Sequence, residues 1–496
     1  MLMNLYTKGD KLPERSFLEF AWRDRKNRGY ALGALGLGVI QFIVFKHYYP
    51  FGSYVADSYG YIYAAQHHLA VYLWPIGYSW FLSLFHGLTH SETALIAFQY
   101  FFVELAALWF FGTIKYFFPL AEWGAFLYLF LFANPLFLYI ANCIGSDSLF
   151  IGVSLIWITQ VIWMLHRPRA YHVVTQAVLI FFAFSLRYNA VVYPVVTLLA
   201  FACSGYRLRM KVLGVLLPVV AIWGFVDRTT FYVGKATDDE QFSVFGGWQK
   251  ANNALYMYPY ISVDTTNLPF DRIVQLDHFV RKYFDTVGRA NRNIDMDRGS
   301  YYMWNEQSPL KRYMRHEYPD SLIKDEFTKW AREGNLYSLY GSYLVKHHVG
   351  AFFQYYLLPN AGEYFLPVLE KLGVYNMGSN RVDSIGTTWF DYGSPEVTAA
   401  SFTIQNNLLS AFPKFFLLTN ILFLAVLGWF VVVKGYKKTD QRFVLAVVIV
   451  TALLATNFVF SVYASPVVFR YQVFPMVVMG TFTLLLFDYL YKTVKK

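Results

Sequence analysis

Two cysteines in 496 residues leave little for covalent scaffolding. Cys143 falls at one end of an apolar run and Cys203 at the opposite end of another. A membrane thickness between them exceeds disulfide reach. Charge is also scarce: Asp, Glu, Lys and Arg make up 15% of the chain, and 32 acids face 42 bases. No Walker, Rossmann, HExxH or CxxC pattern occurs, which removes the usual sequence grounds for nucleotide, dinucleotide or zinc chemistry. No Gly-x-Ser-x-Gly context surrounds Ser58, Ser146 or Ser148, so serine hydrolase chemistry is unsupported. The chain has neither an internal repeat nor a low-complexity tract.

What the chain has instead is apolar length. Hydrophobic residues are 56% and aromatics 20%, with mean hydropathy +0.34. Many runs reach roughly 20 residues, enough to cross a hydrocarbon core of about 30 Å. The pattern predicts an all-α polytopic membrane protein with ten spans, at 30–48, 92–114, 119–140, 149–165, 172–186, 190–204, 212–231, 413–433, 443–463 and 468–491. The fifth and sixth are short enough to be one broken hairpin. The polar opening segment makes the first run an uncleaved signal-anchor.

Short-loop bases set the orientation. Lys8, Lys11, Arg15, Arg23, Arg25, Lys26 and Arg28 precede the first span. Lys115, Arg167, Arg169, Arg207, Arg209, Lys211, Lys434, Lys437, Lys438, Arg442, Lys492, Lys495 and Lys496 then fall on the same side if the ten spans hold. Both termini are therefore expected in the cytoplasm. The net charge of +10 reflects membrane topology and not a nucleic-acid footprint, because the bases are spread over separate stretches.

Three regions follow: 1–231, seven spans with one long outer loop; 232–412, a polar extracytoplasmic and mainly helical domain; and 413–496, three more spans. In the first outer loop Asp57, Tyr61, Ala64 and His68 are spaced four, three and four apart and share a helix face. A helix lying on the membrane would aim Asp57 and His68 at one cavity and turn Ile62, Leu69 and Val71 to lipid, ending before Trp74-Pro75-Ile76-Gly77-Tyr78. In the outer domain, helical spacing occurs at 269–285 and 320–333. The aromatic stretch 336–358 reads either as an interfacial amphipathic helix or as packing within a small domain.

Four charged residues are candidates for chemistry. Asp57, an acid at the membrane surface, is a general base, a metal ligand or a helix N-cap. Asp147, just before the fourth span, is either an N-cap or a second carboxylate facing Asp57, holding a divalent cation or an acceptor. Arg187 and Arg470 sit at outer helix ends, against the usual charge bias. They either snorkel to headgroups or hold a lipid phosphate bidentately. His67 and His68 form a doublet without a carboxylate at metal spacing, suited to substrate hydrogen bonding or interfacial placement; His347 and His348 say less.

An N-terminal span, an acid and surface helix in a long outer loop, and about seven spans before a variable part resemble the GT-C glycosyltransferases, such as protein O-mannosyltransferases and lipid A aminoarabinose transferases. The local features are Asp57-Ser58-Tyr59-Gly60-Tyr61, Pro75-Ile76-Gly77-Tyr78, Asn134-Pro135, Ser146-Asp147 and Arg470-Tyr471. The resemblance covers about half the chain. The resemblance implies a GT-C-like bundle and a polyprenyl-phosphate sugar donor. Asp57 would act on an acceptor hydroxyl of a glycan, lipid or protein, with inversion at the anomeric carbon. Asp147, Tyr61, His68, Arg187, Tyr188, Arg470 and Trp248 would contact substrate. Many members carry a paired acid in the first loop, whereas Ala56 and Ser58 flank Asp57. A cation such as Mg or Mn between Asp57 and Asp147 is thus one option and a metal-free single base the other. Compact size, the absence of outer disulfides and the resemblance point to a bacterial inner membrane with the site facing the periplasm; the endoplasmic reticulum membrane is the alternative. Rival readings are a transporter or flippase for a lipid-linked or anionic substrate, and a membrane acyltransferase or glycan polymerase. The few charges inside spans, Glu104 the clearest, and the unmatched halves give the transporter little support.

Overall fold

The computed structural model describes residues 15–118, 120, 123–287, 299–464 and 466–494. Lys8, Lys11, Pro119, Lys495 and Lys496 lie outside the described residues. Among those described no strand forms; helices carry the fold, with isolated bridges at Ser53–Cys143, Val368–Val468 and Arg381–Glu396.

Among the described residues, eight helices are long and apolar enough to cross a membrane: Arg25–Tyr48, Glu92–Phe117, Gly124–Ala141, Asp147–His166, Leu208–Thr237, Ile404–Val432, Gln441–Ala464 and Phe469–Lys492. The chain is a multi-pass membrane protein. The other two expected spans are the shorter apolar helices Ala170–Leu186 and Tyr188–Cys203. They are joined tightly because Arg187 leaves the helix for extended backbone (φ −154°, ψ 129°) before a 3-10 turn over Tyr188–Val192. Gly124–Ala141 breaks where Pro135 supplies no backbone N–H. There the Asn134 side chain accepts from Leu136 N at 3.0 Å.

Asp147–His166 and Phe469–Lys492 are the enclosed helices of the bundle. Arg25–Tyr48 and Leu208–Thr237 instead expose Ile40, Ile43, Val220 and Trp223, the apolar outer face a bilayer needs.

The segment that follows Leu208–Thr237 divides between two cores. Residues up to about 357 close their own, where Trp248 stacks on Trp330 at 4.1 Å and meets Tyr337 edge-on at 4.6 Å. Val244–Leu255 and Glu326–His347 approach so closely that a Cβ on Gly247 would overlap the Gly334 carbonyl. The first part of the aromatic stretch is therefore a packed domain helix, with Tyr337 and Tyr340 at 0% exposure. Residues from Tyr364 onward, including Leu372, Tyr375, Trp389 and Leu409, join the core of the bundle.

Candidate functional site

Three backbone ties bring distant charges together. Ser53 N donates to Asn142 O (2.8 Å) and Ile144 N to Ser53 O (3.1 Å), which locks the approach to Asp57 against the turn before Asp147. Phe469 N donates to Val368 O (2.8 Å), setting Glu370 and Lys371 beside Arg470. Gly77 abuts the Ser185 backbone, where a Cβ would lie 2.6 Å from Ser185 C, so Arg187 leaves its helix at a fixed point.

Buried side chains brace these ties. Glu92, 6% exposed, accepts from Gly52 N (2.8 Å) and the Tyr54 hydroxyl (2.7 Å). Asn376 accepts from Tyr54 N (3.0 Å) and donates its own N–H to Ser53 Oγ (3.0 Å). It does so from left-handed backbone, φ 48°. Gln99 accepts from the Tyr78 hydroxyl (2.7 Å) and donates to Ala141 O (2.7 Å), holding the turn before Asp147.

The result is a buried cluster of three acids and three bases, Asp57, Asp147, Glu370, Arg187, Lys371 and Arg470. Arg470 is its hub. Nη1 donates to Asp147 Oδ2 (2.9 Å), Nε to Glu370 Oε2 (3.2 Å) and Nη2 to the Tyr471 hydroxyl (2.7 Å). Asp57 Oδ2 lies 3.6 Å from Nη2 and accepts from Lys371 Nζ at 2.6 Å. Arg187 donates to Asp147 Oδ1 and lies over the Tyr471 ring at 3.9 Å.

Formal charges cancel within the cluster, as burial demands. Burial pushes the Asp57 carboxyl up, but Lys371 and Arg470 outweigh it and hold the carboxyl below the usual carboxylate range. Burial pulls the Lys371 ammonium down, and Asp57, Glu370 and Tyr471 together more than reverse this. Burial and the Asp57 charge raise the Tyr61 phenol, so Tyr61 remains a donor.

A cavity of about 210 Å³ opens onto this cluster. Asp57, Tyr61, Arg187, Tyr188 and Tyr471 line its charged end; Trp74, Phe245, Asn189, Asn457 and Ser461 line the remainder.

Asp57, Tyr61, Asp147, Arg187, Tyr188 and Arg470 thus meet at one place. Neither acid is a cap: Val55 and Ser146 hold the N-cap positions, with no side-chain cap bond at either. Both carboxylates point to cations instead. His68 does not join them. The surface helix ends at Gln66, and His68 adopts φ 49°, exposed, with Nδ1 3.2 Å from Ser83 Oγ. Ile62 and Val71, expected to meet lipid, are buried at 0% and 7%: Ile62 packs in the bundle core and Val71, in the loop beyond the helix, in the second core.

Trp248 is likewise no cavity residue, being 0% exposed with its Nε1 donating to Trp330 O at 3.0 Å. Asn252 donates to Gly299 O (2.7 Å) and Asn253 to Tyr463 O (2.9 Å), both as packing amides. Sequence reasoning missed Glu370 and Lys371. Their signal was two adjacent opposite charges in an otherwise apolar stretch, Leu366-Pro367-Val368-Leu369-Glu370-Lys371-Leu372.

The donor set fits a divalent cation poorly. Arg470 stands between Asp57 and Asp147, and Mg or Mn would have to displace it from carboxylates already paired to cations. Among the described residues no group of three or more His, Cys, Asp and Glu is arranged to hold a metal ion. No protein-family model, curated protein or solved structure matches this chain, so the site's own geometry carries the functional reading.

Proposed function

We propose that the chain is an inverting membrane glycosyltransferase of the GT-C kind, moving a sugar from a polyprenyl-phosphate donor to a hydroxyl of a glycan, lipid or protein. The observation that carries this reading is the convergence of a carboxylate, two guanidinium groups and an ammonium, of which Asp57 and Arg187 line one cavity and Lys371 and Arg470 stand behind them in ion pairs. A lipid phosphate at the bilayer surface is the anion that such cations meet there, and guanidinium planes bind it bidentately.

In this mechanism the donor phosphate is held by Arg470, Arg187 and Lys371. The acceptor hydroxyl oxygen attacks the anomeric carbon from the opposite face. The carbon–oxygen bond to phosphate breaks, its electron pair leaves on the phosphate oxygen, and the hydroxyl proton passes to Asp57. The cations stabilise the charge gathering on the leaving phosphate. They also set the timing. At rest Lys371 and Arg470 depress the basicity of Asp57, and a bound phosphate shares their charge and restores it. Tyr61 donates to an oxygen in the cavity.

The position of the cluster favours this reading over transport. Asp147 and Arg470 open their helices, and Arg187 closes one. A transporter site is expected near the midplane. The proposed setting is a bacterial inner membrane with the site on the periplasmic face and both termini in the cytoplasm. The test is donor affinity: Arg470→Ala is expected to weaken binding of a polyprenyl-phosphate sugar at least tenfold (about 1.4 kcal/mol). An unchanged affinity in folded protein contradicts the phosphate role.

A further inference from the structure

We propose that the cavity beside the charge cluster is a reading site for a neutral hexose, with Asn189, Asn457 and Ser461 bonding sugar hydroxyls and Trp74 and Phe245 covering an apolar sugar face. The proposal rests on the transferase reading and narrows it to uncharged sugars. Three observations carry it.

The first is an unmet acceptor. Asn189 Oδ1 is buried, lines the cavity and finds no hydrogen-bond partner among the described residues. A buried amide oxygen left unpaired keeps its desolvation cost, and a ligand hydroxyl donating to it recovers that. Asn189 follows Arg187 by two residues in the same turn, so a group bound there is covalently close to a phosphate on Arg187.

The second is the chemistry of the wall. Asn457 Nδ2 donates to Gln472 Oε1 (2.9 Å), and Gln472 Nε2 donates to Ser461 Oγ (3.2 Å). This chain fixes an amide and a hydroxyl one helical turn apart on Gln441–Ala464, both lining the cavity. Trp74 and Phe245 pack with ring centroids 5.8 Å apart and line it as well. Amides and a hydroxyl beside aromatic faces suit a pyranose, which has hydroxyl edges and carbon-bound hydrogens on its faces.

The third is the charge pattern. Apart from Asp57 and Arg187, at the cluster end, the cavity wall carries no charged side chain among the described residues. In the proposed transfer both are committed, Arg187 to the donor phosphate and Asp57 to the acceptor proton. A uronic acid carboxylate or a sugar ammonium would lose water there without gaining a free counter-ion.

The experiment measures calorimetric binding of four probes to the full chain in lipid nanodiscs: farnesyl phosphate and its glucosyl, mannosyl and glucuronyl esters. We expect glucose or mannose to tighten binding roughly tenfold over farnesyl phosphate, and glucuronate not to. Asn189→Ala should remove most of the hexose gain and leave farnesyl phosphate affinity unchanged. If that variant does not fold, Phe245→Ala should remove the same gain. Binding of farnesyl phosphate with no hexose gain, an equal gain from glucuronate, or a hexose gain that survives Asn189→Ala and Phe245→Ala overturns the sugar site and leaves the transferase reading standing. No binding of farnesyl phosphate overturns the phosphate role beneath it and the sugar site together.

Discussion

The residue that controls the site electrostatically is Lys371. In the proposed transfer Asp57 must be ionised to take a proton, so kcat/KM is expected to fall as pH drops through its pKa. Burial acts to raise that pKa, and Lys371 leads the opposing charges. Lys371→Met is therefore expected to move the acidic limb of the kcat/KM profile to higher pH; an unmoved limb would separate Lys371 from Asp57. Arg470 carries the larger structural share. It is 8% exposed and faces three carboxylates, so Arg470→Ala leaves a buried acid excess and should cost about 3–5 kcal/mol in denaturation. Arg470→Lys should recover part of the stability and less of the donor affinity, because an ammonium cannot bond bidentately. Four of these charges were legible in the sequence, since a charged residue at the end of an apolar run stands out. Glu370 and Lys371 were not, because they lie in a segment that read as generic outer domain until the Val368–Val468 bridge drew it to the bundle.

At the scale of elements, apolar length made the existence of the long helices readable. Helix ends were less so. Spacing put His68 on the Asp57 face only if the helix continued past Gln66, and it does not. Partners 80 or more residues away, such as Trp330 for Trp248, leave no local trace, so a buried core tryptophan read as an exposed contact. The Glu326–His347 helix carries one pH-sensitive strain. Burial, only partly offset by Arg272, lifts the Glu333 carboxyl to about 7, while Oε2 is buried with no hydrogen-bond partner among the described residues. A folded-state pKa above the unfolded one gives stability that is full below the ordinary value of 4.5 and lost as pH rises through about 7. Glu333→Gln should thus raise the melting temperature at pH 8 relative to wild type, by up to about 3 kcal/mol of stability, and not at pH 4.5. An equal effect at both pH values would contradict this. Arg272 tolerates the change because its side chain is 42% exposed.

Across the whole molecule, the fold follows from its ledger of charge and length. Long helices turn apolar faces outward, six paired charges gather where three helices end, and residues 364–409 bind the segment after Leu208–Thr237 into the bundle core. The orientation proposed here predicts that, in a Cys143→Ala, Cys203→Ala background, Ser379→Cys in intact cells reacts with an impermeant maleimide and Lys437→Cys only after permeabilisation; the reverse pattern would invert the topology. Both residues are exposed. The central claim, that Asp57 is the base in sugar transfer, is tested most directly by turnover. Purified chain in nanodiscs is supplied with polyprenyl-phosphate glucose and mannose labelled in the sugar, with host membranes as acceptor. The account predicts label transfer by the wild-type chain and a loss of at least about a hundredfold in Asp57→Asn that melts as wild type does. Equal transfer by Asp57→Asn, or no transfer by the wild-type chain from either donor, would contradict it.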